Sequence, residues 1–369
     1  MNKEKVVKKI GVLTLPLKGN YGGVLQAFAL TTFLKKNGYN AILIDRQWDI
    51  QQSGISYLIK KAIYHHLLIK NVKYFCKKWI NPKTKKIISQ KQIKELNDFG
   101  FDAVVVGSDQ VWRLEHTTGV GSNYFLDFLK NKKTKKISYA ASFGKDSVDG
   151  DSDKLSEIAS LLSEFSAISV REESGVKICA ELFKVEVKQV LDPVLLLKRD
   201  DYLPIINKSY LKLDRTLTTY VLDASIANNK IIQDVAKYLE LKVVSINYKK
   251  DPGLLLKKKS LDFYNYMYPS VSNWLRGFRD AEFIVTDSFH GTIFSVLFKK
   301  QFIVIGNEKR GLARFNSILG KLGLMERLIT SKNKYNREIL SRSIDFKLVH
   351  EKLDKEISFS KSFLLEALK

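Results

Sequence analysis

The 369-residue chain is long enough for two domains, each with a core of its own, at about 150 residues a domain. Its 62 Lys and Arg against 39 Asp and Glu give a net charge of +23, which favours anionic partners such as phosphorylated substrates or an acidic membrane. No helix-turn-helix, zinc-finger or RNA-binding motif is present, so nucleic acid is not an expected partner. No apolar run reaches the roughly 18 residues of a membrane span.

The apolar run 10–15 follows several lysines and could be mistaken for a signal peptide. It is short, ends at Pro16 and leads into a Gly-rich turn, so we predict a first β-strand and a cytoplasmic protein. Cys76 and Cys179 are far apart and have no CxxC spacing, and His65 and His66 lie in a basic segment. We therefore expect neither a disulfide nor a metal site.

Residues 8–45 have the pattern of a βαβ unit, with strands over 10–15 and 41–44, a turn over 18–23 and a helix over 24–36. The glycines of the turn let backbone amides approach a ligand, and a helix N-terminus adds partial positive charge. The turn is neither GxGxxG nor a P-loop. It indicates either binding of an anionic or hydroxylated group or only a tight turn.

The segment 50–96 interleaves lysines with apolar residues, a pattern that predicts basic amphipathic helices. Such helices either lie against an acidic membrane or pack as an insertion on their own domain. For a cytoplasmic protein, the membrane surface concerned is the inner face.

Four apolar strands follow, over 101–106, 136–140, 165–170 and 187–191, and each ends in a polar or Gly-containing loop. This is typical of a parallel sheet with a functional carboxyl edge. Arg171, just past the third of them, can hold a carboxylate or phosphate, or can pair with a neighbouring Glu.

The second half repeats the α/β pattern after a linker over 198–215. Strands are predicted over 218–222, 243–246 and 302–305, and helices over 229–239 and 270–279. A further helix is predicted from residue 308, with the cations Lys309, Arg310 and Arg314 in its first turns. Cations there oppose the helix dipole, which favours an anion-binding role.

The predicted fold is therefore α/β, with two Rossmann-like domains whose parallel sheets face a cleft. The boundaries are residues 1–197 for the N-terminal domain, with the basic helical insert at about 50–96, and 216–343 for the C-terminal domain. A C-terminal helix spans 344–369.

The most informative stretch is 282–298, which reads as strand, tight loop and helix. Its loop places Asp287, Ser288 and His290 at the carboxyl end of a parallel strand, beside a helix N-terminus. This indicates a catalytic loop, although the same residues would also serve as a simple helix cap.

Six motifs in order along the chain resemble the polysaccharide pyruvyl transferase family. They lie at 20–27, 106–112, 138–144, 170–172, 191–193 and 286–291. The resemblance implies a GT-B-like enzyme that moves pyruvate from phosphoenolpyruvate, a co-substrate rather than a cofactor, onto two hydroxyls of a sugar. The product would be a cyclic ketal on a bacterial exopolysaccharide or capsule, or on its lipid-linked precursor.

That chemistry needs a proton donor, a base and cations for the donor's anionic groups. His290 is the expected acid, Arg171 matches the motif arginine that would clamp the donor, and Asp109 or Asp287 could be the base, hold the sugar or orient His290. Some members carry an arginine where this chain has Ser288, so Lys309, Arg310 or Arg314 would compensate. Acceptor contacts are expected from Asn20, Tyr21, Gly22, Gly23, Ser108, Gln110 and Ser142.

Two alternatives stay open. A nucleotide-sugar glycosyltransferase can use the same fold and would release a nucleoside diphosphate instead of phosphate. A noncatalytic relative would bind glycan or membrane without turning over any donor.

Overall fold

The computed structural model describes residues 7–47, 68–117, 119–207, 214–247 and 267–369, without the side chain of Lys309. The chain divides into two compact units. The first comprises Met1–Gln51, Lys77–Leu197 and Asp354–Lys369, and the second comprises Gln52–Cys76 and Lys198–Leu353. Residues 68–76, which the sequence assigned to an insert in the first domain, group with the second unit. The predicted insert over 48–67 and part of the predicted linker, 208–213, lie outside the described residues.

In its described part, the first unit contains a four-stranded parallel sheet in the order β2-β1-β3-β4. Residues 10–13, 41–44 and 103–106 of three of its strands are buried and apolar, as expected of a parallel sheet that is covered on both sides, whereas the strand over 135–138 also contains two lysines and a serine. A parallel pair, β5 and β6, continues the carboxyl edge through a bridge between Ala141 and Val170. The strands are β1 (Lys9–Leu13), β2 (Asn40–Ile44), β3 (Ala103–Val106), β4 (Lys135–Ser138), β5 (Ser169–Val170) and β6 (Lys188–Gln189).

Five α-helices accompany these strands in the described ranges up to residue 197. They are α1 (Tyr21–Lys36), α2 (Lys70–Trp79), α3 (Gln90–Lys94), α4 (Ser152–Ser163) and α5 (Glu173–Glu181). Helix α2 is continuous across the point at which the chain passes from one unit to the other.

Helix α1 begins three residues earlier than predicted. The Asn20 side chain accepts a hydrogen bond from the amide of Gly23 at 3.2 Å, so the Gly-rich segment forms the first helical turn. The prediction of a turn up to Gly23 was therefore wrong, because the N-cap outweighs the low helix propensity of two glycines.

The second unit contains a five-stranded parallel sheet in the order β11-β10-β9-β7-β8, counted over its described residues. The strands are β7 (Thr216–Tyr220), β8 (Lys242–Ser245), β9 (Phe283–Thr286), β10 (Gln301–Ile305) and β11 (Leu328–Ile329). The helices are α6 (Arg199–Tyr202), α7 (Ile226–Leu239), α8 (Val271–Asp280), α9 (Phe289–Leu297), α10 (Ala313–Leu322) and α11 (Phe346–Ala367), the last of which continues into the first unit.

The central strand β9 pairs with β7 on one side and β10 on the other, so the loop after Thr286 lies in the middle of the carboxyl edge. The predicted helix from residue 308 is instead a 3-10 turn, Glu308–Arg310, followed by α10. Gly311 separates the two with a φ of 85°. Arg310 therefore precedes α10, and Arg314 lies in its first turn.

The prediction of an α/β fold with parallel sheets is confirmed in both units. None of the described helices combines the length and the low polarity needed to cross a membrane.

Candidate functional site

Asp109 in the first unit lies against the first turn of α1. A Cβ atom at Gly23 would be 2.8 Å from Asp109 Oδ2, so only glycine permits this approach without displacing the carboxylate. Asp109 Oδ1 accepts the amide of Gln110 at 2.8 Å, and the side chain is almost fully buried. The fold thus brings together three predicted residues, Asn20, Gly23 and Asp109, at the carboxyl edge of the sheet. Tyr21 and Gly22 are buried in the same turn.

The loops after β3 and β4 are tied to each other by backbone hydrogen bonds. The amide of Ser142 donates to the carbonyl of Asp109 at 3.1 Å, and the amide of Trp112 donates to the carbonyl of Ser142 at 3.2 Å. The Gln110 side chain accepts from Arg113 at 2.9 Å. Ser142 and Gln110, both predicted acceptor contacts, therefore flank Asp109.

Glu172 holds the loop after β4 through three hydrogen bonds. One of its carboxylate oxygens accepts from the Ser142 hydroxyl at 2.9 Å and from the amides of Phe143 and Gly144 at 2.8 and 3.0 Å. The side chain is fully buried. The Ser142 hydroxyl is thus engaged within the protein, and Glu172 holds the loop after β4 in place.

Arg171 lies in a buried ion pair. Its Nη1 donates to Asp192 at 2.7 Å and to the Ser108 hydroxyl at 3.1 Å, and Ser108 donates to the same carboxylate oxygen at 2.8 Å. The side chains of Arg171 and Asp192 are 2% and 0% exposed. The guanidinium charge is therefore balanced inside the first unit, and the pair connects the loops after β3, β5 and β6.

Asp287 in the second unit holds the neighbouring loop in place. Its two oxygens accept the amides of Leu222 and Asp223, each at 2.8 Å, just after β7 ends. Burial raises the pKa of Asp287, and the two backbone hydrogen bonds oppose that rise. Asp287 thus has a clear structural part in shaping this edge of the sheet.

Ser288 is the N-cap of α9, and its hydroxyl accepts the amide of Gly291 at 3.4 Å. Thr286 supports it, because the Thr286 hydroxyl donates to the carbonyl of Tyr220 at 2.7 Å and accepts the amide of Ser288 at 3.1 Å. The polar residues of this loop are therefore fixed by hydrogen bonds to the adjacent strand.

His290 occupies the first turn of α9 and is 6% exposed. Its ring lies edge-on to Phe289, with centroids 5.5 Å apart. The guanidinium of Arg314 lies over the same Phe289 ring, 5.8 Å from its centre. His290 is thus buried at a helix N-terminus, and both it and Arg314 contact the Phe289 ring.

Arg310 presents the most accessible cation of this edge among the side chains described. It pairs with Asp223 at 3.0 Å, and its side chain is 39% exposed. Asn307 donates to the same carboxylate oxygen at 2.7 Å. Arg314 is more buried and donates to the carbonyl of Arg310 at 3.5 Å. The side chain of Lys309 lies outside the described part of the structure.

The sequence assigned no role to Asp192, Asp223 and Asn307, and it suggested Glu172 only as a possible partner of Arg171. Each of these residues follows directly or closely on a strand, at the carboxyl edge of the sheet of its own unit. A search for every polar residue past a strand end would have found them, because parallel strands bring their carboxyl ends to one edge.

Gly291 offers a test of this packing. An added Cβ would overlap the Thr286 hydroxyl, which is buried and bonded to β7. Gly291→Ala should therefore lower the free energy of unfolding by about 1–3 kcal/mol, as overpacking does. Gly320→Ala in α10 is the matched control, since nothing lies within 4 Å of its added Cβ and about 0.5–1 kcal/mol of stabilisation is expected. Equal urea midpoints for the two variants would contradict the packing described.

Comparison with known proteins identifies the family. A sequence profile described as "Polysaccharide pyruvyl transferase" matches residues 20–309, which include Asn20, Arg171 and His290. The chain belongs to the polysaccharide pyruvyl transferase family. It is accordingly a transferase that modifies polysaccharide. No curated protein matches the sequence.

Solved structures support the GT-B-like fold of this pyruvyl transferase family member. A Listeria monocytogenes protein described as a UDP-N-acetylglucosamine 2-epimerase has a TM-score of 0.56 at 11% identity, over 99% of this chain and 96% of that one. The UDP-N-acetylglucosamine 2-epimerase of Rickettsia bellii has a TM-score of 0.50 at 13% identity, over 98% of this chain and 96% of that one. At such identities the likeness establishes the fold alone.

Proposed function

We propose that the protein transfers pyruvate from phosphoenolpyruvate to two hydroxyls of a sugar, in a surface polysaccharide or its lipid-linked precursor. One hydroxyl adds to C2 of the enol phosphate while C3 gains a proton and becomes a methyl group. The second hydroxyl then replaces phosphate at C2, and its proton leaves with the phosphate. The products are a cyclic ketal and inorganic phosphate, so atoms and charges balance without an oxidant or a reductant.

The observation that carries the proposal is the position of His290 within the family match. Its imidazole is held in the first turn of α9, on a loop fixed to β7 through Thr286 and Asp287. A fixed acid suits the transfer of a proton to carbon, which requires close alignment. Because Asp287 is occupied by two backbone amides, Asp109 is the better candidate for the base that accepts the sugar hydroxyl proton.

The donor's carboxylate and phosphate need cations, and Arg310 and Arg314 fit that role better than Arg171. Arg310 is partly exposed, and Arg314, four residues further along the chain in the first turn of α10, lies beside the Phe289 ring. Arg171, in contrast, is engaged with a buried carboxylate. We therefore assign the donor anion to the second unit and give Arg171 a positioning role for the loop of Ser108.

Arg310→Ala should raise the dissociation constant for phosphoenolpyruvate about 10- to 100-fold, the loss expected for one charge-assisted hydrogen bond. Stability should hardly change, because an exposed ion pair contributes little. Arg337→Ala is the matched control, since Arg337 also forms an exposed pair with an aspartate, Asp234, in the same unit. Isothermal titration with phosphoenolpyruvate measures both variants against the parent protein.

The same titration with nucleotide sugars separates the proposal from glycosyl transfer. Binding of phosphoenolpyruvate that Arg310→Ala weakens and Arg337→Ala does not would support the donor site. Binding of a nucleotide sugar alone would contradict the pyruvyl transfer proposed.

A further inference from the structure

One stretch of the sequence has no acidic residue at all. Between Asp49 and Glu95 the 45 residues 50–94 contain eleven lysines and neither Asp nor Glu, against a net charge of +23 for the whole chain. Nearly half of the excess charge thus comes from an eighth of the chain. The 39 acidic residues of the chain have an average spacing of about nine residues, so this gap concentrates positive charge in one segment.

Within this stretch, α2 shows how the charge is presented. Val72, Phe75 and Cys76 are buried, so this face of the helix packs on the protein. The helix is anchored at its start, where the amide of Tyr268 donates to the carbonyl of Leu68 at 3.0 Å and Asn71 donates to the carbonyl of Tyr268 at 2.9 Å.

The opposite face of α2 is cationic with an aromatic ring at its centre. Lys70, Tyr74, Lys77 and Lys78 are exposed, and their spacing of i, i+4, i+7 and i+8 places them on one side of the helix. Tyr74 is 67% exposed. Tyrosine is favoured at membrane interfaces, since its ring is apolar and its hydroxyl forms hydrogen bonds with water or headgroups.

We infer that this outward face of α2 (Lys70, Tyr74, Lys77 and Lys78) binds the surface of an acidic membrane. Lysines on either side of an aromatic ring match the two layers of such a surface, anionic headgroups and the apolar boundary beneath them. The binding is peripheral and reversible. It goes beyond the transfer reaction, because none of these four residues belongs to the proposed donor or acceptor sites.

The test compares two triple variants of equal charge. Lys70→Gln, Lys77→Gln and Lys78→Gln together should lower the partition coefficient onto phosphatidylglycerol-containing vesicles about 100-fold, at a factor of about five for each lysine near the surface. Lys130→Gln, Lys132→Gln and Lys133→Gln remove the same charge from another exposed segment. That control should bind as the parent protein does. Vesicle co-sedimentation at low and at physiological salt gives the measurement, and the melting temperatures verify folding.

The two variants also exclude a general charge effect. Equal losses for both triples, or no retention of the parent protein by acidic vesicles, would overturn the inference. Retention by a soluble acidic polysaccharide that depends on α2, without retention by vesicles, would overturn it too. Tyr74→Ala should weaken vesicle binding at both salt concentrations, because its contribution is apolar and is not screened.

Discussion

Arg171→Ala is expected to lower the free energy of unfolding by about 3–5 kcal/mol, because it removes the guanidinium from a buried carboxylate. Arg171 Nη1 and Asp192 Oδ2 are 2.7 Å apart, and neither side chain is exposed by more than 2%. A loss of this size is a large fraction of the stability of most domains. The purified variant should therefore show a much lower urea midpoint than the parent protein.

A second variant distinguishes the ion pair from a general packing defect. Arg171→Met combined with Asp192→Asn removes both charges, and the Asn oxygen can still accept the amide of Val194, which now donates to Asp192 at 3.0 Å. Replacing both members of a buried pair is far less costly than removing one. We expect the double variant to recover much of the stability that Arg171→Ala loses.

The same variants decide between the two roles of Arg171. If Arg171 clamps the donor, the double variant should be stable but bind phosphoenolpyruvate weakly. If it positions the loops, stability falls and the double variant retains donor binding. A double variant that is stable but has lost donor binding would return Arg171 to the clamp role predicted from its motif.

The sequence predicted the sheets well because parallel strands that are buried on both faces are continuous apolar runs. Residues 103–106 and 283–286 show this pattern, and both became central strands. The start of α1 was not predicted, since Gly22 and Gly23 suggest a turn. Their place in the helix depends on Asn20 and on the nearness of Asp109, a contact between residues 86 positions apart in the sequence.

The site was only partly predictable for the same reason. Periodicity places Arg171, Asp287 and His290 at strand ends, but it does not say which partner each will take. A neighbouring Glu was one expected partner for Arg171, and Glu172 is indeed 3.9 Å away. The shorter contact is to Asp192, on the next strand's loop. Such pairings arise from sheet order, which local sequence patterns do not contain.

His290→Gln is expected to reduce turnover about 100- to 10,000-fold, the range typical of removing a general acid. Glutamine is polar and similar in size to histidine, and its amide can donate a hydrogen bond, but it does not ionise at neutral pH and so cannot act as a general acid. Donor binding should be retained, because the proposed cations Arg310 and Arg314 are unchanged. The rate constant should therefore fall while the dissociation constant for phosphoenolpyruvate stays within a few-fold.

Phosphate release measures this turnover once a suitable acceptor is present. Polysaccharide from the source strain, treated with mild acid to hydrolyse its ketals, supplies free hydroxyl pairs of the right kind. His350→Gln is the matched control, since His350 is a part-buried histidine of the same unit whose Nε2 lies 3.2 Å from the carbonyl of Val296. It should turn over at the parent rate.

We expect opposite results from the His290 and Arg171 variants, so a comparison of the two variants is informative. Arg171→Ala should lose stability first, since its partner is a buried carboxylate, and His290→Gln should lose rate with stability largely kept. Normal turnover in His290→Gln would exclude the acid role and leave Asp109 and Asp287 as the titratable candidates named for proton transfer. A loss of both rate and donor binding in His290→Gln would mean instead that the imidazole contacts the donor's phosphate, as a helix N-terminal position also permits.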